Sequence, residues 1–406
     1  MVLLLLRQKS GYPLYLFLKK EKDAASILNT KTVNCTMNLS YWEKSEWFSN
    51  VDFTVVGSGI VGLNTAITLR KKYPNSKIII LERGMLPHGA STKNAGFACF
   101  GSISEILSDL KSHSEDEVLQ LVEKRWKGLE LLRKNLGDAT IDFQQHGSFE
   151  LFSNDNNLFN TCSDQLQEVN KLLEPIFKED VFSVSENKFD FKNVKENYIY
   201  NQFEGQIDTG KMMAALLKLA QSKGIKILNN ITVKSFNEIG DQVEVVLDSD
   251  YSFKTGKLLI ATNGFAKELL NEEVQPARAQ VLITKPIDNL HIKGTFHFDE
   301  GYYYFRNINN RILFGGGRNL NFKAEETTIM ETSQLIQLEL EKHLKNIILP
   351  NTPFEIDHRW TGVMGVGSQK KAIVKQISAN VYCGVRLGGM GVAIGSLIGE
   401  ELANLV

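Results

Sequence analysis

FTVVGSGIVGLNTAITLRKKYPNSKIIILE, residues 53–82, reads as a strand, a glycine-rich turn, a helix and a second strand ending in an acid. That is the order of a dinucleotide-binding βαβ unit, and each position has its own physical reason. Gly57 permits the tight turn, Gly59 lets the backbone approach a pyrophosphate, and Gly62 lets the helix pack closely on the strand. The unpaired N–H groups at the helix start, beginning at Ser58, Ile60 and Val61, are donors for phosphate oxygens. Glu82 closes the apolar run Ile78 to Leu81, about 20 residues after Gly62, where an acid meets a ribose hydroxyl.

Outward from this unit, the 406 residues carry a formal net charge of −1, which gives no bulk attraction to nucleic acid or anionic lipid and leaves a small molecule as the expected partner. Cys35, Cys99, Cys162 and Cys383 form no CxxC pair, so they read as free thiols of a reducing cytoplasm. The seven histidines have no ligand spacing, and no metal site is expected. Residues 1–36 have no sustained period and read as an extension that is disordered or not native. Their five apolar residues after Met1 fall short of the roughly 7 to 15 of a signal-peptide core, and Met37 is a plausible start. No run reaches the length of a membrane-spanning helix.

Residues 83–101, RGMLPHGASTKNAGFACFG, are too rich in Gly, Ser and Asn for one regular element and read as a long loop past the nucleotide. Ser114-x-x-Glu117 is a capping box opening an apolar-striped helix that Gly137 closes, core material with no chemistry expected in it. One helix is expected near 165–176 and another over 328–344. YYYFRN and RILFG read as two strands turning at Asn309-Asn310. RLGGMGVAIG, residues 386–395, opens a last helix with four glycines, which permits a flat ring to approach the backbone. The helix start there would stabilise negative charge on the pyrimidine edge of a reduced flavin. Only one GxGxxG is present, so electrons are expected from an organic substrate rather than from a nicotinamide.

Together with GASTKNAGF, GQIDTGKMMAALLKLAQSKGI, IATNGF, YYYFRN, ILFGGGR and HRWTGVMG, these segments resemble the D-amino-acid-oxidase-like FAD-dependent oxidoreductases, in particular the glycine oxidase and sarcosine oxidase branch. The resemblance covers nearly everything from Met37 onward. It implies an α/β architecture: a Rossmann-like FAD-binding domain from residues 37–101, 205–270 and 355–406, with an inserted α+β substrate domain, 102–204 and 271–354, on a mainly antiparallel sheet. It implies oxidation of an amino acid or N-alkylated amino acid by hydride transfer to flavin N5, then imine hydrolysis and reoxidation by dioxygen or another acceptor.

By position, Gly57, Ser58, Gly59, Ile60, Val61 and Gly62 would hold the pyrophosphate and Glu82 the adenosine ribose. Arg83, Ser91 and Thr92 would lie beside the phosphates and ribityl chain, and Asn94 and Ala95 near the ring. Val233 would meet adenine, Thr262, Asn263 and Gly264 would close over the nucleotide, and Gly388, Gly389, Met390, Gly391 and Val392 would cover the pyrimidine edge. Arg386 reads either as a bidentate carboxylate anchor or as a member of a surface ion pair. Tyr304, on one strand face with Tyr302 and Arg306, reads either as a pocket wall or as a core tyrosine. His358 is a candidate base.

Relatives with covalent flavin carry a cysteine in the segment matching Trp360 to Gly365 or a histidine in that matching Ser91 to Gly96. Neither occurs here, so FAD is expected to be non-covalent. The lysine that the sarcosine oxidase branch uses for dioxygen is replaced by apolar residues over Ile312 to Gly315, so the resemblance does not imply fast oxidase activity. Two other readings are a 2-hydroxy-acid dehydrogenase passing electrons to a quinone and a FAD-fold protein without redox function.

Overall fold

The computed structural model describes residues 38–406, so the expectations for residues 1–36 and for Met37 lie outside the described residues. Its first sheet runs in the order Ile373–Ser378, Val381–Val385, Ser252–Ile260, Val51–Val56, Ile78–Leu81, Lys226–Leu228. From Val381–Val385 to Lys226–Leu228 all neighbours are parallel. Strands buried on both faces must be apolar throughout, which Ile78–Leu81 and Val381–Val385 are. The antiparallel pair Val233–Ile239 and Gln242–Leu247 extends from Ser252–Ile260. Helices Ile60–Lys72, Thr209–Ser222 and Gly391–Asn404 pack on one face through Leu63, Leu69, Met212, Leu216, Ile398 and Leu402.

The second sheet has the order Ile356–Val366, Gln275–Thr284, Arg311–Gly316, Tyr303–Ile308, Thr295–Phe298, Ser148–Leu151, Asn197–Asn201, Phe182–Glu186. It is antiparallel except where Thr295–Phe298 meets Ser148–Leu151. Asn309 and Asn310 have φ of 49° and 57°, the paired left-handed residues of a tight hairpin turn. One face carries an aromatic core in which Phe296 and Phe305 stack at 4.7 Å, closed by Ile336 and Leu340 of helix Gln334–His343. The opposite face looks toward the first sheet.

Some boundaries differ from the sequence reading. Two helices, Leu158–Asp164 and Leu166–Phe177, stand where one was expected near 165–176, with Gln165 as the junction. The helix expected over 328–344 is Gln334–His343, followed by a widened turn at Leu344–Ile348. Ile356–Val366 pairs along Gln275–Thr284 in the second sheet, so the crossing back falls after 366 rather than at 355. Helix Glu115–Leu136 has its capping box, Glu117 N–H to Ser114 Oγ at 3.3 Å, but it serves both layers. Val118 and Val122 join one core while Leu129 and Leu132 join that of the first sheet, where Gly128 packs directly on Ala393. Among the described residues no helix is long and apolar enough to cross a membrane.

Candidate active site

Between the sheets lies a cavity of about 740 Å³, and two helices begin at its wall. Strand Val51–Val56 delivers Gly57 with φ of +101°, a conformation that L side chains rarely adopt. Helix Ile60–Lys72 starts next, and a Cβ at Gly59 would lie 2.8 Å from Ser91 Oγ. The second start is Gly391 of helix Gly391–Asn404, reached through Gly388 and Gly389 with φ of +61° and +86°. The helices touch where Gly395 meets Ile60 and Gly399 meets Asn64, so two bundles of free amides are held side by side. Their combined positive partial charge suits a pyrophosphate at one and an anionic ring edge at the other.

Most of the expected nucleotide residues line this cavity: Gly57, Gly59, Ile60, Val61, Glu82, Arg83, Ser91, Asn94, Ala95, Val233, Thr262, Asn263, Gly264, Gly388, Gly389, Met390, Gly391 and Val392. Gly62 does not; it lies beneath, where a Cβ would fall 1.9 Å from Gly57 O, so its contribution is packing. Ser58 is fully buried and turned away, its N–H and hydroxyl donating to Glu82 Oε2 at 3.0 and 2.7 Å. Glu82 Oε1 accepts from Gly84 and His88 N–H at 3.0 and 3.2 Å. With four donors already on this carboxylate, a ribose hydroxyl must share or displace the Ser58 hydroxyl. Thr92 donates to Pro87 O at 2.6 Å and is not in the cavity wall, against the expectation that it sits beside the phosphates. Arg83 lies over the Phe265 ring at 3.7 Å and pairs with Glu268 at 3.0 Å, at the wall that also holds Val233. Ser91 Oγ accepts from Ile60 N–H at 3.0 Å, standing at the helix start. Asn94 Oδ1 accepts from Gly96 N–H and Thr209 Oγ1, both at 2.9 Å, which fixes the loop that presents Ala95. Thr262 Oγ1 is buried in the wall with no hydrogen-bond partner, an orphan polar atom of the kind a nucleotide satisfies.

The three residues expected to act on substrate are separated. Arg386 is buried at 6% exposure and outside the cavity wall. Its Nε donates to Lys371 O at 3.0 Å and its guanidinium pairs with Glu273 at 2.9 Å. With φ of 63° it turns under the glycine loop and fastens it, so it does not anchor a carboxylate. Arg386→Ala is therefore expected to lower thermal stability by about 1–3 kcal/mol and to leave substrate KM within about twofold; calorimetry and steady-state kinetics check the two halves. His358 is exposed, stacked 5.8 Å from Trp360, and absent from the cavity, so it is not placed to be a base. Tyr304 does reach the cavity, edge-on to Phe97 at 5.6 Å with its ring over Gly315. Burial pushes its hydroxyl up to about 12 while Arg318 pulls the other way, so it remains a donor.

Sequence reading missed Arg318, His297 and Cys99. Arg318 enters the wall just after strand Arg311–Gly316, its guanidinium 4.8 Å from the Phe322 ring. The signal was the final residue of ILFGGGR, read only as part of the resemblance. Burial and the neighbouring Glu204 push the Cys99 thiol well up, so it is no nucleophile. Helix Glu115–Leu136 also reaches this chemistry, because Arg125 binds Phe100 O at 2.7 Å and Glu105 at 3.3 Å.

Two helix starts over one long cavity, faced by a second sheet, define a flavin-type nucleotide site with a substrate layer. The chain belongs to the DAO family of FAD dependent oxidoreductases, whose family model matches residues 52–405. Among curated relatives, it is 25% identical over 248 residues to the bifunctional protein ThiO/ThiG of Synechocystis sp., a match spanning 57% of this chain and 32% of that protein. It is 22% identical over 396 residues to the probable oxidoreductase OrdL of Haemophilus influenzae, covering 88% and 83% of the two. The chain thus spans about a third of the first relative and most of the second. Its fold matches L-proline dehydrogenase from P. horikoshii with a TM-score of 0.70 at 19% identity, over 88% of this chain and 93% of that one. Glycine oxidase from Geobacillus kaustophilus matches with a TM-score of 0.69 at 18% identity, over 87% and 94%. The chain is an FAD-dependent oxidoreductase, and the paired helix starts, the glycine cradle and the orphan Thr262 hydroxyl fit that cofactor.

Proposed function

We propose that the protein oxidises an amino acid or N-alkylated amino acid whose carboxylate is held by Arg318. The observation that carries this reading is that Arg318, Tyr304 and Tyr302 all line the cavity, with the Arg318 charge acting on the Tyr304 hydroxyl. A guanidinium presents a planar fork that fixes a carboxylate in two hydrogen bonds, and a protonated tyrosine adds a third donor. Anchoring one end of the substrate orients its amine-bearing carbon and lowers the entropic part of the barrier. Phe97 and Val281, also in the wall, exclude water from the reacting carbon. Bound FAD supplies the acceptor for the hydride that leaves that carbon. Hydrolysis of the resulting imine, and reoxidation by dioxygen or another acceptor, complete the cycle in this reading.

A 2-hydroxy acid offers the same carboxylate, so it is the second substrate class to test. The experiment is anaerobic titration of the purified flavoprotein with glycine, sarcosine, L-proline and 2-hydroxy acids, followed by visible absorbance. Bleaching by an amine supports the proposal; bleaching by hydroxy acids alone replaces it. Acid precipitation of the same sample is expected to leave the flavin in the supernatant, because the segments 91–96 and 360–365 offer neither cysteine nor the histidine a covalent bond would use. Yellow colour retained in the pellet would overturn the non-covalent assignment.

A further inference from the structure

Glu150, His297, Tyr304, Gly315 and Val281 are direct cross-strand neighbours on five adjacent strands of the second sheet. Partners in register share a face, so they form one row across the floor of the cavity. His297 and Tyr304 line it, and Glu150, at 2% side-chain exposure, stands behind His297. His297 Nε2 lies 4.0 Å from Glu150 Oε2, buried and with no hydrogen-bond partner. That gap is too narrow for a bridging water, so the two groups face each other directly. Glu150 is positioned from behind by the Ser104 backbone N–H at 3.2 Å and by the Ser104 hydroxyl.

We propose that Glu150 and His297 form a proton relay serving the substrate amine. Glu150 holds the imidazole as the Nε2–H tautomer, which leaves the Nδ1 lone pair as the acceptor. One proton passes from the substrate ammonium to Nδ1 while the Nε2 proton passes to the Glu150 carboxylate. The amine nitrogen regains its lone pair, the imidazole ends as the neutral Nδ1–H tautomer, and the positive charge of the ammonium is cancelled against the negative charge of Glu150. The inference rests on the amine reading above.

The electrostatics agree with this geometry. Burial pushes Glu150 up to about 7 and His297 down to about 4, so near neutrality the imidazole is neutral and the Glu150 carboxylate is the member that takes up a proton. The other titratable groups around the row are Glu105, Asp109, Glu204, Cys99, Glu300, Tyr304 and Cys162, with Lys370, Arg125 and Arg318 as cations. Glu105 pulls His297 upward, but it is itself paired with Arg125 at 3.3 Å and Lys370 at 3.1 Å, and Lys370 also holds Asp109 at 2.7 Å. Glu150 and Glu204 are the two carboxylates here that burial raises, and Glu150 is the one that faces His297.

Two measurements on the FAD-bound protein test the relay. Nitrogen-15 histidine NMR, with His297 assigned through His297→Asn, is expected to show the Nε2–H tautomer and a titration that Glu150→Gln displaces by more than one pH unit. An Nδ1–H tautomer in the wild type, or a titration indifferent to Glu150→Gln, overturns the relay whatever the substrate proves to be. With whichever of sarcosine, L-proline or glycine bleaches the flavin, stopped-flow reduction at pH 7 is expected to slow by about 100-fold in both variants. The deficit should shrink toward wild type as the pH rises to about 10, where a far larger share of the amine arrives unprotonated. A deficit of equal size at both pH values marks a packing defect and overturns the proposal. If no amine bleaches the flavin, the amine reading fails, and the NMR result still decides whether the dyad exists.

Discussion

Arg318→Ala is expected to raise the KM for a carboxylate-bearing substrate by about 100-fold, with kcat falling less. A charge-assisted, partly buried carboxylate contact contributes about 2–5 kcal/mol when one partner is removed, and each 1.4 kcal/mol is about tenfold in affinity. Arg318 stands in the cavity wall with its guanidinium 4.8 Å from the Phe322 ring. Lysine at this position keeps the charge but loses the fork, so Arg318→Lys should recover only part of the loss. The control is Arg386→Ala, whose guanidinium is fastened to Glu273 and Lys371 and never meets the cavity. If Arg386→Ala raises KM and Arg318→Ala leaves it unchanged, the assignment of the anchor is wrong.

Gly62→Ala should abolish FAD retention while leaving the substrate sheet intact. The added methyl would be placed 1.9 Å from Gly57 O and 3.3 Å from Val55 Cγ1, so strand and helix must part. Overpacking against backbone costs about 3 kcal/mol, and here the cost falls on the turn that aims the helix amides at the pyrophosphate. Gel filtration followed by the ratio of flavin to protein absorbance measures retention. Normal flavin content in Gly62→Ala would mean that this helix does not carry the phosphate site. The reverse comparison is Gly89→Ala, on the same loop system but with no heavy atom within 4 Å of its Cβ, which should retain flavin as the wild type does.

The nucleotide half was legible in the sequence because its requirements are local. Gly57, Gly59 and Gly62 impose a turn and a close packing that a larger residue would strain, and the all-apolar run Ile78–Leu81, buried on both faces, cannot be mistaken for surface. The substrate half was harder for the opposite reason. His297 and Glu150 lie 147 residues apart and meet only through the register of Thr295–Phe298 on Ser148–Leu151. Nothing local in HFDE or FELF announces that pairing. For Arg386 the sequence left anchor and ion pair open, because proximity to the glycine loop says nothing about which way a left-handed residue turns its side chain; the structure has the ion pair with Glu273. Of the two readings open for Tyr304, it lines the cavity on the strand face that local alternation gives it, and the hairpin at Asn309-Asn310 fixes its register.

The contact between helices Ile60–Lys72 and Gly391–Asn404 also has a bearing on biosynthesis. Lys72 Nζ reaches Ala403 O at 3.1 Å, and the close seat of Gly399 against Val61 O allows no substitute for the later helix. A nascent chain emerging with residues 38–390 therefore carries every strand of both sheets but only one of the two helix starts. Both amide-bearing helix ends stand side by side only once the helix that begins at Gly391 has seated on Ile60–Lys72.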